Sequence, residues 1–554
     1  MIMRLLLVWH RVRRFIREVT LDNGVHWADG VVVFLYVAFV LGIGWYYGRR
    51  QKNADEYFVG NRAMHPVLIG ISMYATLFST ITYLGVPGEY IARGPVLVLA
   101  VVGIPFTYLI VGHLLVPYYM KKRVTSAYGL LEERLGVAVR LLAAAIFVAV
   151  RLAWMAFLIY MASRAILVAL GKGNEIHLLP WIILGTGSVA IIYASIGGLR
   201  AVVITDLCQF ILLFGGGLLV VVSVTVSLGG FSWVPTEWQP SWEEQPFFSF
   251  DPNVRITVVG TILSAVLWWV CTAGGDQTAV QRFMATGSPE AARRSFLTNV
   301  LAGLSVTIML MLIGFSLLGY FQANPEHLPE GQTLEMAADD LFPHYLSFAL
   351  PPGIAGLILS ALFAAAMSSI DSGVNSITAV VLTDFVDRLR GAPLSERQHV
   401  FLAKVMAIII GVIVVFMSAF VIGHVPGNYV GMTQRISNLL VSPIFVLFFM
   451  AIFVPFVTGP GAFIGAVASS AAAVTVAYWV PIIQSSWWMR WFGEPEFWKE
   501  ISFQWIQPCA LTAGILVGVV ASLADRAIRG GLVNLAARMI GSIRRADSND
   551  GSAR

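Results

Sequence analysis

The chain reads as an all-α polytopic membrane protein with about 13 transmembrane helices. Three observations predict this. Of its 554 residues, 58% are apolar and only 12% are charged, whereas soluble domains carry about 25% charged residues. Mean hydropathy is +0.78. The apolar residues fall in runs long enough to span, since about 20 helical residues cross a hydrocarbon core of roughly 30 Å. The charge is patterned as well: basic residues crowd into alternate short loops. Length alone would suggest several soluble domains, but the regular recurrence of apolar runs makes one helical bundle the better reading. The runs are too long for membrane strands.

Thirteen segments fit: 27–48, 66–91, 96–120, 139–170, 177–198, 200–228, 255–275, 294–320, 351–385, 398–423, 428–454, 459–482 and 506–528. The loops orient them. Arg49, Arg50 and Lys52 follow span 1, and Lys121, Lys122 and Arg123 follow span 3. Arg282, Arg293 and Arg294 follow span 7, and Arg388, Arg390, Arg397 and Lys404 follow span 9. Residues 229–254 carry Glu237, Glu243, Glu244 and Asp251, and residues 321–350 carry five acids, with no Lys or Arg in either loop. The basic loops are then cytoplasmic, the N-terminus outside and the C-terminus inside. Residues 1–20 disagree. Arg4, Arg11, Arg13, Arg14 and Arg17 among Leu, Val, Trp and Phe make a basic amphipathic segment, a pattern that favours the cytoplasmic face. This segment lacks the apolar core and cleavage site of a signal peptide. The loop 483–505 holds five tryptophans. An interfacial belt is the simple reading, a lid over a solute site the other.

Several classes are disfavoured. Cys208, Cys271 and Cys509 lie in apolar runs without CxxC spacing, so neither a disulfide scaffold nor a structural metal is expected. The net charge of +5 sits in loops, not on a nucleic-acid face. No GxxxxGK[ST] loop is present, so an ion gradient is the natural energy source. The expected partners are Na⁺, a small solute and the bilayer, with the chain acting as a monomer in a cell membrane and no cofactor beyond the coupling ion.

Ionisable residues inside spans mark function. Asp206 lies in span 6, Asp371 in span 9 and Arg151 in span 4. Arg151 has two readings: a structural pair with Asp206 or Asp371, or a contact to an anionic solute. In span 9, Ala365, Ser368, Ser372 and Asn375 share a helical stripe flanked by Ser369, Asp371 and Ser376. Hydroxyls and a carboxylate are hard oxygen donors, suited to a small hard cation. Small residues also pack helices closely, and Asp371 tips the balance toward an ion site. Span 2 contains Gly85-Val86-Pro87-Gly88, a place for an unwound turn, with a plain proline kink as the alternative. Span 7 ends Gly274-Gly275-Asp276, which suggests a second break. Breaks five helices apart fit two inverted repeats. The expected layout is a basic segment 1–26, a peripheral span 27–48, repeats over 66–228 and 255–454, peripheral spans over 459–528 and a tail over 529–554.

Four stretches resemble the sodium:solute symporter family, which includes sodium–sugar, sodium–proline, sodium–monocarboxylate, pantothenate and iodide carriers. They are Ala54 to Arg62, Gly197 to Asp206, Asp276 to Arg282, and the Ser368-Ser369 segment. The resemblance covers roughly residues 27–455. It implies a LeuT-type fold with alternating access. It places a sodium site on Ala75, Phe78, Ala365, Ser368 and Ser369, and a second cation site on Asp206, Ser368, Asp371 and Ser372. Asp371 departs from the usual hydroxyl and can strengthen that second site or couple a proton. Thr82, Trp268, Asp276 and Gln434 are candidates for the solute pocket. Ile81 and Val101 are apolar at positions aligned with polar sugar contacts, so an organic anion is the first substrate expected and a sugar the second. A passive channel needs a continuous polar pore, and a membrane enzyme needs paired His, Asp or Glu. Neither pattern is evident.

Overall fold

The computed structural model describes residues 26–49, 54–121, 126–390, 395–421, 429–485, 488–490 and 499–550. The N-terminal basic segment and Trp487, Trp491 and Trp498 of the tryptophan-rich loop lie outside them. The helices are α1 (Trp27–Gly48), α2 (Pro66–Leu77), α3 (Thr80–Arg93), α4 (Pro95–Met120), α5 (Val137–Ala169), α6 (Ile176–Ser227), α7 (Val258–Gly275) and α8 (Gln277–Met284). There follow α9 (Pro289–Ala323), α10 (Leu334–Phe348), α11 (Ile354–Val386), α12 (Glu396–Phe420), α13 (Tyr429–Phe453), α14 (Gly459–Ala477) and α15 (Ile506–Asp550). No strand occurs among the described residues. The last helix continues to Asp550, well past the expected end of the final span at 528.

Eleven described helices are long and apolar enough to cross a membrane, and the bent pair α2–α3 makes a twelfth crossing. α6 is one of the eleven, yet it holds 52 residues. Straight, it would measure roughly 78 Å, more than twice a bilayer core. Gly198 turns it, with φ 62° and ψ −179°, a conformation open to glycine alone. Its two limbs correspond to the expected spans 177–198 and 200–228, which gives the thirteen crossings read from sequence.

α11 is the central post: 89% of its most apolar window is buried, against 17% for α1. Its first turn is held by a residue from far away. Asp29 on α1 is 2% exposed, and its Oδ1 accepts from the backbone N–H of Gly353 and of Gly356, each at 2.7 Å. These are orphan donors of a helix N-terminus, satisfied here by a carboxylate that also suits the helix dipole. A side chain at Gly356 would strike the Asp29 backbone, so the two helices touch there. α14 and α15 meet through Gly461 and Gly465 on one side and Gly514 and Gly518 on the other, where a Cβ at Gly465 would come within 2.7 Å of the Gly514 carbonyl. Two small-xxx-small motifs let these backbones pack closely in lipid.

The first break is displaced from its expected place. α3 runs through Pro87 unbroken, and the chain turns by 68° between α2 and α3 instead. Phe78 and Ser79 are extended there, and the Ser79 side chain caps the Thr82 N–H. A capping hydroxyl starts a helix, whereas Pro87 costs α3 one internal hydrogen bond only. Pro87 and Tyr90 pack on Gly314 of α9, and Gly88 packs on the Ala338 carbonyl of α10. These glycines serve close contact.

Replacing Asp29 with Ala is expected to cost about 1–2 kcal/mol through the lost cap. The measurement is the melting temperature of detergent-solubilised protein, with Asp29→Asn falling between Ala and the parent.

Candidate ion and solute sites

The five residues expected around a first sodium converge. The Ser368 hydroxyl donates to the Ala75 carbonyl at 2.8 Å and to the Ala365 carbonyl at 3.2 Å. The Ser369 hydroxyl donates to the Thr76 carbonyl at 2.8 Å and to the Phe78 carbonyl at 3.4 Å. Both serines are fully buried. The carbonyls of Ala75, Thr76 and Phe78 belong to the last turn of α2 and the break behind it, which has left them without helical partners, while that of Ala365 lies within α11 itself. Carbonyls and hydroxyls are neutral hard donors, the set a hard monovalent cation takes. Among the described residues no cluster of three or more His, Cys, Asp or Glu suits a metal.

Beside it lies a buried charged cluster. Ser72 donates to Asp206 Oδ2 at 2.5 Å. Arg282, 1% exposed, reaches Asp206 at 3.4 Å and Ser372 at 2.6 Å, and also contacts Thr76. Its Nε donates to Ser72 at 3.1 Å. The loop position expected for Arg282 is thus wrong. The second helix break puts it on α8, inside the bundle, and it drops out of the orientation argument. Asp371 adjoins the cluster through Ser372, whose hydroxyl donates to Asp371 Oδ1 at 3.2 Å. Asp371 Oδ2 and Asp206 Oδ1 are buried without hydrogen-bond partners. Asp206 thus pairs with Arg282 directly, and Asp371 is joined to it through Ser372.

The second break falls where the double glycine put it. α7 ends at Gly275, Asp276 is extended, and its side chain caps the Thr278 N–H at 2.7 Å. Tyr119 donates to the freed Gly274 carbonyl, and Tyr128 to that of Gly275 at 3.4 Å. Arg151 pairs with Asp276, not with Asp206 or Asp371, and donates to Thr278 at 3.0 Å. α5 passes the second break, whereas Asp206 and Asp371 already face Arg282. The Nε of Arg151 has no hydrogen-bond partner.

A cavity of about 270 Å³ lies between α2–α3, α4, α7 and α9. Thr82 and Trp268 line it, as expected of solute contacts, together with Trp154, Trp269, Thr107 and Ser437. A nine-residue 3₁₀ stretch of α4, Pro95–Gly103, forms one wall, far longer than such helices usually run. Asp276 is not on the main cavity. It lies in a small recess with Arg151, sharing Trp154, Trp268 and Ser437 with the cavity. The side chain of Gln434 is outside the described residues. Ser72 and Thr76 escaped the sequence reading, although polar residues four apart on an apolar helix signal one face. At the opposite end of the bundle Asp384 accepts from Ser126 at 2.6 Å and from Arg140 at 2.7 Å, and Arg140 also pairs with Glu132.

Two helices broken in the bilayer, with oxygen donors gathered at one break and a cavity alongside, define an ion-coupled carrier of the LeuT-type fold. A profile of the sodium:solute symporter family matches residues 57–468. The chain belongs to that family and is a multi-pass, sodium-coupled solute symporter, not an enzyme. It is 28% identical over 466 residues to the sodium/sialic acid symporter SiaT of Proteus mirabilis, covering 81% of this chain and 89% of that one. It is 26% identical to the human sodium-coupled monocarboxylate transporter 2, over 81% and 72% of the two chains. A solved substrate-bound, outward-open sodium-coupled sialic acid symporter superposes with TM-score 0.74 at 26% identity, covering 91% of this chain and 98% of that one. MHP1, a nucleobase-cation-symport-1 transporter, shares the fold with TM-score 0.50 at 10% identity.

Removing Arg282 alone strands two buried carboxylates, at a cost of about 3–5 kcal/mol. Arg282→Gln is therefore expected to unfold at lower temperature than Arg282→Gln combined with Asp206→Asn, in a double-mutant cycle read by thermal melting.

Proposed function

We propose that the chain is a sodium-driven importer of a hydroxylated organic anion, with its N-terminus outside and its C-terminus in the cytoplasm of a cell-membrane-bound carrier. The observation that carries the sodium site is the pair Ser368 and Ser369, both aimed at carbonyls of the broken helix. Ala75, Phe78, Ala365, Ser368 and Ser369 hold the first Na⁺. Its binding ties α2 to α11 and favours one conformation, the differential affinity that coupling requires. The membrane potential adds about 2.3 kcal/mol per charge per 100 mV.

Asp206, Asp371 and Ser372 form the second cation site. The unpartnered carboxylate oxygens support this, because buried charge in hydrocarbon needs compensation. One guanidinium for two carboxylates leaves room for a further positive charge.

The anion reading rests on Arg151. It is buried beside the cavity, held by Asp276 and Thr278 and lying over the Phe147 ring, with Nε unspent. A carboxylate in the recess meets a positive charge there. Thr82, Thr107 and Ser437 offer hydroxyl partners on the cavity wall, which favours a solute with hydroxyls of its own. Sialic acid, named for two of the relatives, has both features and is the first solute to test; small monocarboxylates come next and a neutral sugar third. The cavity wall includes Thr261 and Gln504, close to the end of the acidic loop 229–254, which supports an outward-facing reading with the acidic loops outside. Both sites come from one chain, so a monomer suffices.

The test is uptake into proteoliposomes under an inward sodium gradient, with sialic acid, lactate and glucose as probes. Ser369→Ala is expected to abolish sodium stimulation. Asp371→Asn is expected to lower the Hill coefficient for sodium toward one. Arg151→Gln is expected to raise the KM for an anion by roughly 10–100-fold, the worth of a charged hydrogen bond. Uptake indifferent to sodium in the parent and in Ser369→Ala alike would defeat the reading.

A further inference from the structure

We propose that the short segment ahead of the last span, Ser502–Trp505, is a working wall of the solute cavity, in which Gln504 and Phe503 select the solute. This rests on the transport reading above. The segment lies beyond the family match, which ends at residue 468, and outside both five-helix repeats. Even so, Phe503 and Gln504 line the cavity alongside Thr82 and Trp268.

Gln504 is 8% exposed and held at both ends of its amide. Its Oε1 accepts from the Thr257 N–H at 3.1 Å, and its Nε2 donates to the Thr261 hydroxyl at 3.1 Å. Ser502 donates to the Arg255 carbonyl at 2.5 Å through its hydroxyl and to the Pro252 carbonyl at 2.7 Å through its N–H. A Cβ at Gly260 would come within 2.1 Å of Gln504 Oε1, so α7 is bare where the glutamine enters. The segment is thus stitched to the first turn of α7, the outer limb of the second broken helix. A glutamine amide has two N–H donors, and Thr261 takes one. A solute carboxylate or hydroxyl is the complement of the second. Phe503 supplies an apolar face, with the Arg255 guanidinium 5.6 Å from its ring.

Gln504→Glu keeps the acceptor for Thr257 and replaces the donor with a negative charge. In the uptake assay it is expected to raise the sialic acid KM roughly tenfold, the worth of one hydrogen bond to a charged group, while kcat and the sodium half-saturation stay within about twofold. Phe503→Ala is expected to shift the preference among sialic acid, lactate and glucose. A merely structural role would lower kcat or yield for every solute and leave KM alone. Unchanged KM values in both variants overturn the proposal.

A second arm needs no solute. Phe503→Cys in sealed liposomes is exposed to a negatively charged, membrane-impermeant methanethiosulfonate, and peptide mass spectrometry reads residue 503. Labelling is expected, and its absence overturns the proposal. Failure of sodium-driven uptake in the parent would count against the transport reading alone, because labelling is scored independently.

Discussion

A peptide group released from a helix inside a bilayer has no water to turn to, and the protein must supply its partner. The chain creates this problem twice and solves it in two ways. At the first break the carbonyls of Ala75, Thr76 and Phe78 are met by two serine hydroxyls. Hydroxyls are small and rotate, so a cation can enter among the same oxygens. At the second break the carbonyls of Gly274 and Gly275 are met by Tyr119 and Tyr128. Phenols on rigid rings are bulkier donors, and both tyrosines are buried. The two breaks therefore share a backbone device and satisfy it differently: serine hydroxyls meet the freed carbonyls at one, tyrosine phenols at the other.

α8, only eight residues long, sits between the two charged clusters. Thr278 belongs to both. Its hydroxyl accepts from Arg151 at 3.0 Å, and its carbonyl accepts from Arg282 at 3.1 Å. The recess beside the cavity and the cluster beside Ser368 and Ser369 are thus joined through one residue. Where an anion draws on Arg151, the Asp276–Thr278 turn loses a partner, and Arg282 is anchored on that same turn.

Much of this was legible in the sequence, for reasons that differ by residue. The spans follow from hydropathy, because lipid imposes length and composition directly. The stripe of Ala365, Ser368, Ser372 and Asn375, with Ser369 at its flank, was legible because helical periodicity puts these residues together without tertiary knowledge. The double glycine marked the second break correctly. Pro87 misled, because a proline inside a helix loses one bond while the capping serine at position 79 decides where the chain turns. Arg282 misled for a related reason: a charge six residues after a helix cap looks like a loop charge until the segment is known to fold back into the bundle. Asp29 and Gln504 carried no local signal. Their partners are 327 and 247 residues away in the chain, and only the assembled bundle brings them together.

The cap that Asp29 provides has a consequence for biogenesis. The first turn of the central post gains this cap only once α1, the first described helix, is in the membrane beside it. Contacts of such sequence separation form late and slowly. Gly356 follows Asp29 by 327 residues, more than half the chain, and during that interval of synthesis the carboxylate waits with its eventual partner unmade, which makes α1 a natural client for whatever shelters nascent membrane segments.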